Sequence, residues 1–149
     1  MKLKVVRSGG QTGVDQAALS CARSLGLETG GWVPKGCRTD TGPAPWLVTY
    51  FGCREHNSSS YPPRTRLNVR ENDVTVWFGL MTTAGYRCTQ RACVAANKPF
   101  VVNPTPAEFL ELANSYESMN VAGNRYRTNP HATEAVYEAF ATLNGGLVL

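Results

Sequence analysis

Apolar and polar positions along the chain change their spacing several times, and each change predicts a new element. Residues 2–7 form a short β-prone run, and residues 14–25 carry apolar side chains at helical spacing. Val74–Phe78 and residues 99–103 are nearly continuous apolar runs. Such runs are typical of strands that are covered on both faces of a sheet.

The second half of the chain predicts further helices. Residues 64–71 and 87–96 have helical spacing, and Thr105 with Glu108 forms a capping box. Ser118–Gly123 predicts a last strand before a final helix. Strands and helices therefore alternate along the chain, which predicts an α/β fold with a mostly parallel sheet and helices on both faces. We expect one domain over residues 1–149.

Residues 30–63 break this pattern, because they are rich in Gly, Pro and Ser. Apart from a short strand at residues 31–33, we expect a long irregular excursion, which in compact domains is usually functional or mobile. Trp32 and Trp46 lie in it and either stack on a flat heterocycle or anchor the loop. Trp77 belongs to a buried strand and is expected in the core.

Composition narrows the class of function. With 42% apolar and 17% charged residues, the chain is not a disordered or tail-like protein. A net charge of +4 suits anionic small molecules and is too weak to indicate nucleic-acid binding. No apolar run is long enough to span a membrane, and the first residues lack a signal peptide's apolar stretch, so we expect a cytoplasmic protein. The five cysteines have no C-x-x-C pair, which indicates reduced packing thiols and no zinc site.

Three segments follow predicted strands and precede helices: residues 8–15, 82–89 and 123–129. In parallel sheets, ligands bind beyond the carboxyl ends of the strands. In the first segment, glycines let backbone amides approach an anion, and the helix N-terminus adds partial positive charge. This predicts a phosphate cradle, and the alternative is a tight turn without a ligand. Asp15 either favours the helix N-terminus or binds a ligand hydroxyl or base edge.

The other segments offer hydroxyl groups and cations. Arg87 either pairs with a phosphate or is solvated at its helix start. Arg64 and Thr65 precede the strand at Val74–Phe78, which we expect to be central, and could reach the same pocket. Lys35 and Arg38 add positive charge or are solvated loop residues. The candidate ligand-binding residues are Ser8, Gly9, Gly10, Gln11, Thr12, Gly13, Asp15, Lys35, Arg64, Thr65, Thr82, Thr83, Gly85, Arg87, Thr89, Gly123, Asn124 and Arg125.

Several motifs in this order resemble the molybdenum carrier family. They are residues 8–15 with Ala17-Ala18-Leu19, residues 30–36, Arg64-Thr65 with Asn68-Val69, and residues 120–125. The resemblance implies a Rossmann-like, homo-oligomeric carrier of molybdenum cofactor or of another phosphorylated pterin- or nucleotide-like ligand. The chain departs from the family at Gly85-Tyr86-Arg87, where a glycine-threonine turn is usual, and at Asn124, where proline is usual.

We therefore expect a binding or carrier protein for a phosphorylated heterocyclic small molecule, with molybdenum cofactor as the candidate. One alternative is a sponge that sequesters a nucleotide second messenger of cyclic or ADP-ribose type. Another is a nucleoside-5'-monophosphate phosphoribohydrolase, as in related proteins that carry a glutamate after a glycine-rich turn. Residues 84–90 contain no carboxylate, which weighs against an enzyme, so no catalytic residue and no metal ligand is assigned.

We also expect a dimer or a larger homo-oligomer, with a monomer as the alternative, because the relatives that this chain resembles pack as oligomers and one self-complementary patch suffices for two-fold assembly. The predicted contact faces are the helix at residues 87–96 and the final helix, whose apolar positions are Ala132, Val136, Ala139, Phe140 and Leu143.

Overall fold

A computed structural model describes residues 1–144 of the chain. In chain order its strands and helices are β1 (Val5–Arg7), α1 (Val14–Ser24), β2 (Glu28–Gly30), β3 (Trp32–Val33), β4 (Arg38–Thr39), β5 (Gly42–Pro43), α2 (Trp46–Thr49), β6 (Arg54–Glu55), α3 (Tyr61–Arg70), β7 (Val74–Phe78), α4 (Ala84–Ala96), β8 (Phe100–Val102), α5 (Pro106–Ser115), β9 (Ser118–Gly123) and α6 (Pro130–Ala141). Short 3₁₀ turns occupy Lys35–Cys37 and Thr142–Asn144.

Five parallel strands form the central sheet, in the order β2-β1-β9-β7-β8. This confirms the predicted α/β class and its parallel sheet. The middle strand is β9 and not β7, which corrects the expectation for Val74–Phe78. In common doubly wound sheets the first or the third strand of the chain is central. Here the last one is, pairing Ser118 with Val5 of β1 and Gly123 with Phe78 of β7.

Helices cover both faces of the sheet, as predicted. Crossovers between parallel strands are right-handed, so connections that run in opposite directions lie on opposite faces. The steps from β1 to β2 and from β8 to β9 run one way, and they place α1 and α5 on one face, where α6 joins them. The steps from β2 to β7 and from β7 to β8 run the other way, and they place α3 and α4 on the opposite face.

The main core lies between the sheet and α1, α5 and α6. Phe109 of α5 is fully buried between Phe78 of β7 and Phe140 of α6. Trp77 is buried, as predicted. The apolar side chains of α6 are also buried here, so they are not free to form the subunit contact predicted for that helix. They are Ala132, Val136, Ala139 and Phe140.

The excursion predicted for residues 30–63 is more ordered than expected. Glu28–Gly30 is a strand of the central sheet, and short strands pair as β3 with β6 and β4 with β5. A separate small core holds this segment on α1, and its members are Leu19, Val33, Cys37, Ala44, Leu47, Phe51 and Cys53. The short strand predicted at residues 31–33 is present as β3. The sequence did not reveal β2, β4, β5 and β6, because strands of two or three residues are too short to show an alternating pattern.

Two helices begin earlier than predicted. Tyr61 starts α3 because Pro62 and Pro63 are tolerated in a first turn, where their missing amides are not needed. Ala84 starts α4 because the Thr83 hydroxyl accepts a hydrogen bond from the Tyr86 amide at 3.2 Å. Among residues 1–144, no helix has the length and apolar character needed to cross a membrane.

Candidate ligand-binding site

A cavity of about 400 Å³ opens at the carboxyl ends of β7 and β9. Its walls come from the start of α1, from α3, from the first turns of α4 and from the segment after β9. The size lies within the range of small-molecule sites. The candidate residues that line it are Gln11, Asp15, Arg64, Thr65, Thr83, Gly85, Thr89, Gly123, Asn124 and Arg125.

The remaining candidates lie elsewhere. Thr12 and Gly13 face a second groove, and Ser8, Gly9 and Gly10 are buried within the β1–α1 turn. The structure does not bring Lys35, Thr82 or Arg87 to the cavity, because all three are exposed on the outside. The Arg87 guanidinium donates to the Thr82 carbonyl oxygen at 2.7 Å instead of facing inward.

The β1–α1 turn, predicted as a phosphate cradle, has intramolecular partners for its amides. The Gly10 amide donates to the Ser8 hydroxyl at 3.2 Å, and the Thr12 amide to the Gln11 side-chain oxygen at 3.0 Å. The Gln11 amide donates to the Asp15 carboxylate at 3.1 Å. A carboxylate of the chain itself therefore occupies the helix N-terminus, where an external anion was expected.

Asp15 is a buried acid at the floor of the cavity, with a side chain that is 4% exposed. Burial raises its pKa from 3.8 to about 6, although Arg64 and backbone amides of Gln11, Gly123 and Gly9 favour its charged form. The Arg64 guanidinium lies 4.0 Å from this carboxylate. A carboxylate held by several amides and a cation is well positioned and remains ionised at neutral pH.

Arg64 is held against the turn by Gly9. A side chain at Gly9 would collide with the guanidinium of Arg64, so this glycine makes room for the cation. Burial lowers the pKa of Arg64. Its Nε is buried without a hydrogen-bond partner among the described residues. Arg64 thus reaches the cavity with a donor that the chain does not use.

Tyr61 gathers three arginines at the cavity edge. The guanidinium carbons of Arg38, Arg64 and Arg125 lie 4.5, 5.0 and 5.6 Å from the centre of its ring. Cations are attracted to an aromatic face, so the ring holds like charges together. The Tyr61 hydroxyl accepts a hydrogen bond from the Gln11 side-chain amide at 3.2 Å. Sequence reasoning missed Tyr61, because nothing in its Ser- and Pro-rich neighbourhood marks it.

Asp40 positions Arg125 from outside the cavity. Its carboxylate lies 3.4 Å from the Arg125 guanidinium and 2.6 Å from that of Arg127. The Asp40 amide donates to the Gln11 side-chain oxygen at 2.7 Å. Gln11 therefore connects the β1–α1 turn, Tyr61 and this ion-pair network into one wall of the cavity.

The N-terminus of α4 forms another wall of the cavity. Thr83, Ala84 and Gly85 line the cavity there, and the first turn of the helix carries no acid. Its partial positive charge therefore faces the cavity without a compensating carboxylate. Asp15 is the only acid among the lining residues, against Arg64 and Arg125. Such a site suits an anionic ligand.

The described part of the chain has no cluster of three His, Cys, Asp or Glu side chains that could hold a metal ion. The five cysteines are free thiols, and Cys88 lines the cavity.

Comparisons with known proteins agree with this topology. A family model described as the circularly permutated YpsA SLOG family matches residues 6–144. A solved structure named "Putative molybdenum carrier protein", from Syntrophus aciditrophicus SB, is 28% identical with a TM-score of 0.84. The alignment covers 95% of this chain and 94% of that chain. No curated protein matches the chain. Because the family model spans nearly all of the described residues, the chain belongs to the circularly permutated YpsA SLOG family.

Proposed function

We propose that the chain binds and carries a phosphorylated heterocyclic small molecule in this cavity. The observation that carries the proposal is that Arg64, Arg125 and the N-terminus of α4 line one cavity. Guanidinium groups bind phosphate through paired, charge-assisted hydrogen bonds, and a helix N-terminus favours the same anion. The unused Nε of Arg64 is one donor for it.

The candidate cargo is molybdenum cofactor. A structural relative that is named a molybdenum carrier supports this choice, since it shares the fold over 95% of this chain. The phosphate of such a cargo fits the cationic wall. The metal would arrive within the cargo, so protein ligands are not needed. Sequestration of a nucleotide second messenger would use the same phosphate contacts. Native mass spectrometry of the protein purified from its own host tests the identity, because the mass of a co-purified ligand distinguishes these cargoes.

The phosphate contact can be tested with adenosine monophosphate (AMP) as the probe. Replacing Arg64 by Gln removes one cation, and we expect AMP binding in calorimetry to weaken by ten-fold or more. Arg66 lies two residues further along α3 and is exposed, so Arg66→Gln is the matched control and should bind as the wild type does. Equal affinities for both variants, or equal affinities of the wild type for AMP and adenosine, would contradict the proposal.

Asp15 favours a second candidate, a phosphoribohydrolase. Its carboxylate lines the cavity with its pKa raised to about 6, so the chain does offer an acid or base beside a bound nucleotide. The reaction would add water across the N-glycosidic bond of AMP and yield ribose 5-phosphate and adenine. Chromatography of AMP incubations tests it. Adenine released by the wild type and not by Asp15→Asn would favour the enzyme over the carrier.

We also propose a homo-oligomer of two or more chains. The face of α4 supports it, because Val94 is 77% exposed there. Ala95 beside it is exposed as well, and small and apolar side chains on one helix face suit close contact with a second copy of the chain.

A further inference from the structure

A second concave surface, the aromatic groove, lies beside the cavity on the far side of the segment that follows β9. It has a volume of about 550 Å³. Its walls are the first turns of α1, the β4–β5 hairpin and α6. Neither the family description nor the relative's name assigns anything to it. The groove and the cavity share a wall, since Gln11 and Arg125 line the cavity while the adjacent Thr12 and Tyr126 line the groove.

Exposed aromatic side chains concentrate at this groove. Trp46, Tyr126 and Tyr137 are 43%, 57% and 53% exposed, and all three line it. Among the described residues, Tyr50 is the one other aromatic of this exposure, and it lies outside the groove. Three different segments supply the rings: α2, the segment after β9, and α6. Aromatic faces on the rim of a concave site suit stacking with a flat ring.

Two buried hydroxyls provide an independent observation. The Oγ1 atoms of Thr12 and Thr133 are buried and have no hydrogen-bond partner among the described residues, and both residues line the groove. Thr133 as a whole is 9% exposed. Buried polar groups in folded proteins nearly always have a partner, so each of these hydroxyls needs one from outside the chain, which a ligand with polar atoms of its own can supply. An apolar ring alone would leave them unpaired.

The charged side chains at the rim of the aromatic groove limit the kind of ligand further. Arg127 is exposed and pairs with Asp40, so the groove offers a cation that is already partly neutralised. The combination is aromatic faces, hydroxyls that can donate or accept, and little net charge. These features match a planar ring whose edge carries both donors and acceptors.

We propose that the aromatic groove binds a planar nitrogen heterocycle, by stacking on Trp46, Tyr126 and Tyr137 and by hydrogen bonds to Thr12 and Thr133. The heterocycle belongs either to a ligand whose phosphate lies in the neighbouring cavity or to a second molecule. Both sources share the same ring chemistry, and the experiment separates them.

The probes are adenosine, guanosine and neopterin, which carry the ring without a phosphate. Calorimetry should detect saturable binding of at least one of them to the wild type. Tyr126→Ala and Tyr137→Ala should each weaken it by ten-fold or more. Tyr50→Ala removes an equally exposed aromatic outside the groove and should leave the affinity unchanged. No saturable binding of any probe, or equal affinities in the groove variants and the Tyr50 control, would overturn the proposal.

Thr133→Val separates a binding role from a structural one. The substitution removes a buried hydroxyl that has no partner in the chain, so the melting temperature should stay the same or rise. Ring binding should still weaken several-fold. A lower melting temperature with unchanged ring affinity would assign the hydroxyl to folding and overturn its part in the site.

The variant Arg64→Gln distinguishes binding at the aromatic groove from binding at the proposed phosphate site. Adenosine binding should persist in that variant even where AMP no longer binds more tightly than adenosine. If one AMP binds per chain and blocks adenosine, one ligand spans both places, and if two AMP molecules bind per chain, the groove takes a second molecule. A dimer in light scattering that Tyr126→Ala and Tyr137→Ala both dissociate, without ring binding, would assign the groove to a second copy of the chain and overturn the proposal.

Discussion

Asp15→Asn tests the central electrostatic feature of the site. The carboxylate is 4% exposed, and burial raises its pKa from 3.8 to about 6. Arg64 and three backbone amides lower the same pKa, but their effect is smaller than that of burial. The folded chain therefore keeps a proton on Asp15 at pH values where the unfolded chain has lost it. The free energy of unfolding therefore falls as the pH rises from about 4 to about 6. Above about pH 6 the contribution of Asp15 no longer changes with pH. Asparagine keeps the size and an acceptor oxygen but cannot titrate.

The size of the effect follows from the two pKa values. A tenfold change in an acid dissociation constant corresponds to about 1.4 kcal/mol, so the rise from 3.8 to about 6 corresponds to about 3 kcal/mol. Roughly 2.5 kcal/mol of this lies between pH 4 and pH 7. Relative to Asp15→Asn, the wild type should lose that amount of unfolding free energy over this interval.

Urea unfolding followed by tryptophan fluorescence at pH 4, 5, 6 and 7 measures it for both proteins. The difference between them removes the contribution of all other titrating groups. Asp73→Asn is the control, since Asp73 is exposed before the amino end of β7, away from the cavity, and the substitution removes a carboxylate while Asp15 stays in place. A wild-type-to-Asp15→Asn difference that is constant with pH, or one that grows as the pH rises, would refute the reasoning.

Three further predictions address the site, the core and assembly. Gly9→Ala should displace the flexible end of Arg64 and weaken AMP binding in calorimetry by ten-fold or more. The free energy of unfolding measured in urea should change by less than about 1 kcal/mol, and unchanged AMP binding would count against the role of Arg64. Phe109→Ala should lower the unfolding free energy by about 3–5 kcal/mol in urea, because the ring is fully buried between Phe78 and Phe140, and a loss below about 1 kcal/mol would contradict that packing. Light scattering at micromolar concentration should give at least twice the 16.2 kDa mass of one chain, whereas a constant monomer mass on dilution would reject the oligomer.

The candidate site was only partly accessible from the sequence. Glycine, threonine and arginine after predicted strands indicated where a cavity would form, and Gly85, Thr83 and Arg125 do line it. Lys35 and Arg87 were chosen for their charge, but a charge in a sequence does not say which way the side chain points. Arg87 bonds to Thr82 on the surface, while Tyr61, which carried no signal, holds three guanidinium groups.

The sequence by itself determined the long elements and the fold class. The apolar run Val74–Phe78 is buried along its whole length, and Thr105 and Glu108 form the predicted capping box. These features depend on residues that are near one another in the chain, so local spacing reveals them. Tertiary structure alone decided that the last strand lies in the middle of the sheet and that Asp15 occupies the helix N-terminus beside Arg64. Such pairings join residues that are far apart in sequence. They depend on how the crossovers pack and on which polar groups are removed from water when the chain folds.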